Sequence, residues 1–233
     1  MKHPFRFSIL PYFTMGAGGI GLCLRLWLFS ATDEKGLLPA SHPADTLLYI
    51  LCALVLAIVF LASRESCVTP FRRRFRQIAE TAGNAVGCVC LLLYALTRSG
   101  NILTLCACIA GSIVLLLAAI LAWQKKPLSY RLSAVLTVVL MVCTVSQCRA
   151  WGAIPQLQHY VFPLLASVFS ILAAYHRTTL AAGYGKRRNL AFFSQGALFL
   201  CCLSLNSDPL LYLGLAGWVT VQLFVCYHTK KEL

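Results

Sequence analysis

Gly16, Gly18 and Gly21 stand in the order G-x-G-x-x-G. That is the spacing with which a strand-to-helix turn cradles a dinucleotide pyrophosphate. Arg25, Arg98, Arg149 and His159 are a second candidate set. Gathered on one side of a helical bundle, they would line a basic vestibule suited to a carboxylate or phosphate. The pairs Cys88/Cys90, Cys106/Cys108 and Cys201/Cys202 invite soft-metal ligation. Each chemistry depends on the element that carries it.

The elements are apolar and long. The chain has 233 residues, 59% hydrophobic and only 12% charged. A soluble domain carries about 25% charged residues. The excess is concentrated in runs such as 46–63 and 101–123. Runs of about 18–25 apolar residues cross the hydrocarbon core as helices. The expected fold class is all-α, a polytopic membrane helical bundle of eight transmembrane helices forming one domain over 1–233. The spans are expected near 8–30, 46–63, 80–98, 101–123, 131–148, 157–176, 189–206 and 209–228. Tight breaks fall at "TRSGN" (97–101) and "LNSDP" (205–209), both rich in turn residues. The first run reads as a retained anchor. Bulky Phe29 before Ser30 and Ala31 makes a poor cleavage site.

Charge sets the expected orientation. Of the 20 Lys and Arg, Lys35, Arg98 and Arg149 fall on one side, Arg25 lies within a span, and the rest fall on the other side. The basic side is expected in the cytoplasm, with both termini. Aromatic belts follow the same frame: Trp27, Tyr49, Trp151 and Tyr212 outside, Tyr12, Trp123, Tyr130, Tyr175 and Tyr227 inside. The net charge of +13 therefore implies anionic lipid rather than nucleic acid, for which no extramembrane domain remains. Minimal loops favour a bacterial cytoplasmic membrane. The "KKEL" ending resembles a dilysine retrieval signal and keeps the endoplasmic reticulum as the alternative.

In this frame the candidate chemistry is reassigned. The glycines lie inside a span, where phosphate would be stranded. Ala17, Gly18 and Gly21 share one face and suit close helix packing. Cysteines at i and i+2 on a helix diverge, so the pairs read as packing and no metal is expected. Arg25 can snorkel to the outer headgroups, pair with Asp33, Glu34 or Asp45, or face a ligand. Arg98 and Arg149 read most plainly as interface anchors. Asn84, Gln147, Gln195 and Gln222 are expected as interhelical glue or cavity lining, and Trp218 as packing. The segment 69–80 places Phe71, Phe75 and Ile78 at helical spacing among Arg72, Arg73, Arg74 and Arg76. It suits a short amphipathic helix on the cytoplasmic lipid surface that runs into span three.

No Walker A, H-E-x-x-H or G-x-S-x-G appears, and no acid lies within a span. An enzyme is disfavoured and no cofactor is expected. The expected function is a small-solute transporter, channel-like subunit or solute-binding component, to be accompanied by a polar cavity containing Arg25. The alternatives are a scaffold or regulatory subunit bound to a membrane protein or a second copy, and a lipid-modifying enzyme.

Overall fold

Among the described residues the apolar runs wind into eight helices: α1 (Leu10–Ser30), α2 (Pro43–Ala62), α3 (Arg73–Arg98), α4 (Ile102–Trp123), α5 (Tyr130–Trp151), α6 (Val161–Ala181), α7 (Arg187–Ser204) and α8 (Pro209–Cys226). In this computed structural model the described residues are 10–32, 42–63, 73–98, 102–124, 130–151 and 159–226, and they include no strand. Helix α3 begins at Arg73 rather than near residue 80. The basic segment thus winds continuously into the span, because nothing in Glu80–Thr81–Ala82 breaks a helix. Phe71 and Arg72 lie outside the described residues, as do the side chains of Arg73, Arg74, Phe75 and Arg76, so the lipid-surface expectation falls there.

Successive helices alternate in direction. Gly18 of α1 faces Cys202 of α7 and Thr14 faces Gln195, a parallel pairing. Across α4 and α5, Thr104 meets Ser146 and Cys108 meets Cys143, an antiparallel pairing. Gly83 and Gly87 of α3 face Val221 and Trp218 of α8, again antiparallel. One end of the bundle therefore holds Arg25 and the turn between α7 and α8. The other holds Lys186, with Leu10 and Cys226 both toward it.

Helix α7 is the hub and packs on α1, α2, α6 and α8, while α3, α4 and α5 complete the bundle between α8 and α6. It buries twelve of its 18 residues. Helix α2 buries only a stripe: Ala44, Leu48, Cys52, Val55 and Val59. Its other faces expose Leu47, Ile50, Leu54, Ile58 and Leu61, as lipid-facing sides require. Six helices are long and apolar enough to cross a membrane, α1 to α6. Helix α7 is less apolar: Arg187 and Asn189 stand half-buried at its start, while Ser194 and Gln195 are buried among the neighbouring helices. Helix α8 has a shorter apolar stretch, Pro209–Leu223.

The expected aromatic positions separate by burial. Tyr12, Trp27, Tyr49, Trp123, Tyr130 and Tyr175 are exposed. Tyr212 is fully buried, and its hydroxyl donates to the Pro163 carbonyl at 3.2 Å.

The turn between α6 and α7 uses glycine for its backbone freedom. Gly183 has φ +88°, and the Thr179 carbonyl accepts from the Tyr184 and Gly185 amides at 3.0 and 2.9 Å. Gly183→Ala should lower stability by about 1 kcal/mol, the cost of a side chain in left-handed backbone. Thermal unfolding in detergent measures it; an unchanged midpoint would mean the turn relaxes freely.

Candidate functional site

Arg25 is 1% exposed. It does not snorkel, because it stands on the α1 face that packs on α7, one turn from Gly21. Its Nη1 donates to the Leu203 carbonyl at 3.2 Å. Its Nη2 donates to the His159 carbonyl at 3.0 Å and to Ser207 Oγ at 2.9 Å. Phe29 and Phe162 lie 5.4 and 5.8 Å from the guanidinium carbon, within cation–π range. Leu203 belongs to the last turn of α7, where carbonyls lack an intrahelical donor. The fork of the guanidinium thus ties α1 to the end of α7, the turn that follows it, and the residue preceding α6.

Among the described residues, Arg25, Arg149 and His159 do not line a common vestibule. Arg25 and His159 meet, but through the His159 carbonyl; the imidazole is half-buried against Phe29 at 5.4 Å. Arg149 is exposed on α5. The Arg98 side chain lies outside the described residues. At this end Gln147 donates to the Tyr94 hydroxyl at 3.4 Å, and Thr104 bonds to Ser146. Ser204 Oγ, by contrast, is buried without a partner among the described residues.

Glycines set the closest helix approaches. A Cβ at Gly18 would stand 2.6 Å from Cys202 Cβ, and one at Gly21 2.3 Å from Leu203 Cδ1. Ala17 beside them is buried. Gly16 and Gly19 have nothing within 4 Å, so the G-x-G-x-x-G letters divide between a packed face and an open one. A second interface was legible as a literal G-x-x-x-G, Gly83 and Gly87, but escaped the sequence reading. A Cβ at Gly83 would fall 1.8 Å from Val221 Cγ2 and 3.0 Å from the Gly217 carbonyl. One at Gly87 would meet Leu115 of α4 at 3.2 Å and Trp218 Cβ of α8 at 3.4 Å. Three helices therefore converge at Gly87.

Buried polar groups gather at this convergence, toward the Lys186 end. Asn84 precedes Gly87 by one turn on α3, and Thr81 precedes Asn84 by another. Trp218 and Gln222 share a face of α8 at spacing i, i+4. The register through Gly83 and Val221 and through Gly87 and Trp218 sets these four within about one helical turn of one another along the bundle. Asn84, Trp218 and Gln222 are 1%, 2% and 0% exposed. Among the described residues, Thr81 Oγ1, Asn84 Oδ1, Trp218 Nε1 and both Gln222 amide atoms are buried without hydrogen-bond partners. On the adjacent α7, Ser194 Oγ is likewise buried and unpartnered. Its neighbour Gln195 accepts from Thr14 Oγ1 at 2.8 Å. The four expected glue residues thus divide: Gln147 and Gln195 bind across helices, Asn84 and Gln222 do not.

A buried, unpaired polar group costs about 1–3 kcal/mol, whereas an apolar group of similar shape does not. Gln222→Leu should therefore raise stability by about 1 kcal/mol. A lower thermal midpoint for the leucine variant would mean that the amide has a structural partner.

The cysteine pairs point apart, as helix geometry requires: Cys106 is exposed and Cys108 buried. Cys108 meets Cys143 instead, Sγ to Sγ 3.6 Å across α4 and α5. Among the described residues no three His, Cys, Asp or Glu side chains converge on a metal position. Comparison with protein-family models, curated proteins and solved structures returns no match to this chain.

Proposed function

We propose that the protein binds or carries a small polar solute within a bilayer. The observation that carries this reading is the cluster of Asn84, Trp218 and Gln222, at most 2% exposed yet holding orphaned polar atoms. A bundle filled only for stability would place apolar side chains there. Groups left unpaired within about one helical turn of one another are what a polar guest would satisfy. The guanidinium ties α1, α7 and the start of α6 together at the Arg25 end, which favours entry from the Lys186 end.

The same reading takes all eight helices as crossings, with Lys186 and both termini in the cytoplasm. The alternating directions and the basic residues flanking odd-numbered helix starts support it. A bacterial cytoplasmic membrane suits the short connections, with anionic lipid against the basic side. A cysteine introduced at Lys186 should resist an impermeant thiol reagent in intact cells and react in inverted vesicles; labelling in intact cells reverses the orientation.

The test of function is entry of urea, acetamide, guanidinium and acetate into proteoliposomes, followed by light scattering. At least one should enter faster than into protein-free liposomes, with the excess lost in Gln222→Leu. If folded protein changes no rate, carriage is wrong and only binding remains, read by Trp218 fluorescence with the same solutes.

A second reading, a subunit that docks on another membrane protein, is favoured by Gly16 and Gly19. Both lie exposed on α1 with open space around them, and small residues admit a partner helix. Gly16→Leu should then abolish co-purification of that partner without altering solute entry.

A further inference from the structure

The unpaired groups at the α3–α8 convergence are of both kinds. Trp218 Nε1 and Gln222 Nε2 can only donate. Asn84 Oδ1 and Gln222 Oε1 can only accept. The Thr81 hydroxyl can do either. All five atoms are buried and unpartnered. None of these side chains is ionisable. Among the described residues the nearest carboxylate in register is Glu80, beside Thr81 and one turn from Asn84; it is half-buried and engaged in interactions of its own, and the Cys88 thiol lies one turn from Asn84 on the other side.

We infer that the solute is a small uncharged molecule carrying a hydrogen-bond acceptor and a donor together, of the amide or urea class. This rests on reading the cluster as a solute site. The argument is one of complementarity. A carbonyl oxygen would accept from Trp218 Nε1 and Gln222 Nε2, while the N–H groups of the same molecule donate to Asn84 Oδ1 and Gln222 Oε1. An anion such as acetate can accept but not donate, and would set its charge against both carbonyl oxygens. A cation such as guanidinium can donate but not accept, and would leave the indole and amide donors unpaired. Either ion would also enter hydrocarbon surroundings without a counter-charge in the cluster, which is costly. The close approach of α3 and α8 at Gly83 and Gly87 keeps the site small. Gln222 contributes both a donor and an acceptor and so fixes the orientation of the guest.

The experiment uses the full chain in nanodiscs with Trp27, Trp123 and Trp151 replaced by Phe, leaving Trp218 as the sole indole. The probes are two pairs matched in shape: urea with guanidinium, acetamide with acetate, all at non-denaturing concentrations. Urea and acetamide should shift Trp218 emission saturably. Their ionic counterparts should bind at least about tenfold more weakly, the discrimination that about 1.4 kcal/mol of lost hydrogen bonding confers. Gln222→Leu should abolish the response, and Gln222→Glu should turn the preference from urea toward guanidinium. Helical circular dichroism establishes that each variant is folded. Equal or tighter binding of guanidinium or acetate to the unsubstituted site overturns the uncharged class while leaving a solute site. No saturable response to any of the four removes the solute site, and this inference with it.

Discussion

Arg25→Met should unfold or fail to assemble at temperatures the parent protein withstands. The substitution keeps much of the apolar stem and removes the fork. Leu203 O, His159 O and Ser207 Oγ then lose their donor. An acceptor left unpaired where it is buried costs about 1–3 kcal/mol, and His159 and Ser207 are half-buried, so the loss should be roughly 2–4 kcal/mol. Arg25→Lys should recover only part of it, since the three donors of an ammonium radiate from one nitrogen and cannot span the acceptors that Nη1 and Nη2 reach separately. Arg149→Ala is the control: its side chain is exposed, and the change should stay within about 0.5 kcal/mol. The measurement is thermal unfolding in detergent. Equal midpoints for Arg25→Met and Arg149→Ala would falsify the clamp.

Gly83→Ala should be strongly damaging for a single added methyl, and Gly83→Leu should prevent assembly. The added carbon would sit 1.8 Å from Val221 Cγ2. Valine on a helix has essentially one rotamer and cannot swing aside. The Gly217 carbonyl at 3.0 Å blocks the other direction. Separating α3 from α8 is the remaining escape, at about 1–3 kcal/mol for alanine and more for leucine. Gly19→Ala provides the contrast, with nothing within 4 Å. It should be neutral or stabilising by up to about 1 kcal/mol through helix propensity. Indistinguishable stabilities for the two alanine variants would mean that α3 and α8 are not held at this distance.

Much of the architecture was legible because hydrocarbon allows few solutions. A long apolar run must satisfy its own amides, and a helix is the way one segment does so. That reasoning located all eight helices to within a few residues, α3 apart. The placement of Ala17, Gly18 and Gly21 followed from small residues at helical spacing. The same rule applied to Gly83-Asn84-Ala85-Val86-Gly87 would have located the α3–α8 contact.

The candidate site was not legible, and the comparison of Gln195 with Gln222 explains why. Both are amides in apolar helices toward the Lys186 end, and both are fully buried. One meets Thr14 of α1; the other has both amide atoms unpaired. Nothing near either residue in the chain distinguishes them, because a hydrogen bond's partner comes from another helix. Arg25 carries the same lesson. Its three acceptors lie between 134 and 182 residues away along the chain, two of them backbone carbonyls that every residue possesses.

By itself, then, the order of residues determined the all-α class, the apolar length of six helices, the number and approximate limits of the described helices, and which faces carry small side chains. These are properties of single segments, set by transfer free energy and by backbone self-satisfaction. Tertiary structure alone decided that Arg25 is a tie rather than a snorkel or a vestibule wall. It also decided that Tyr212 is interior and that Asn84, Trp218 and Gln222 lie within about one helical turn of one another with polar atoms unpartnered among the described residues. Those outcomes depend on which helices become neighbours and at what register, and a displacement of one turn, about 5.4 Å, would reassign them all.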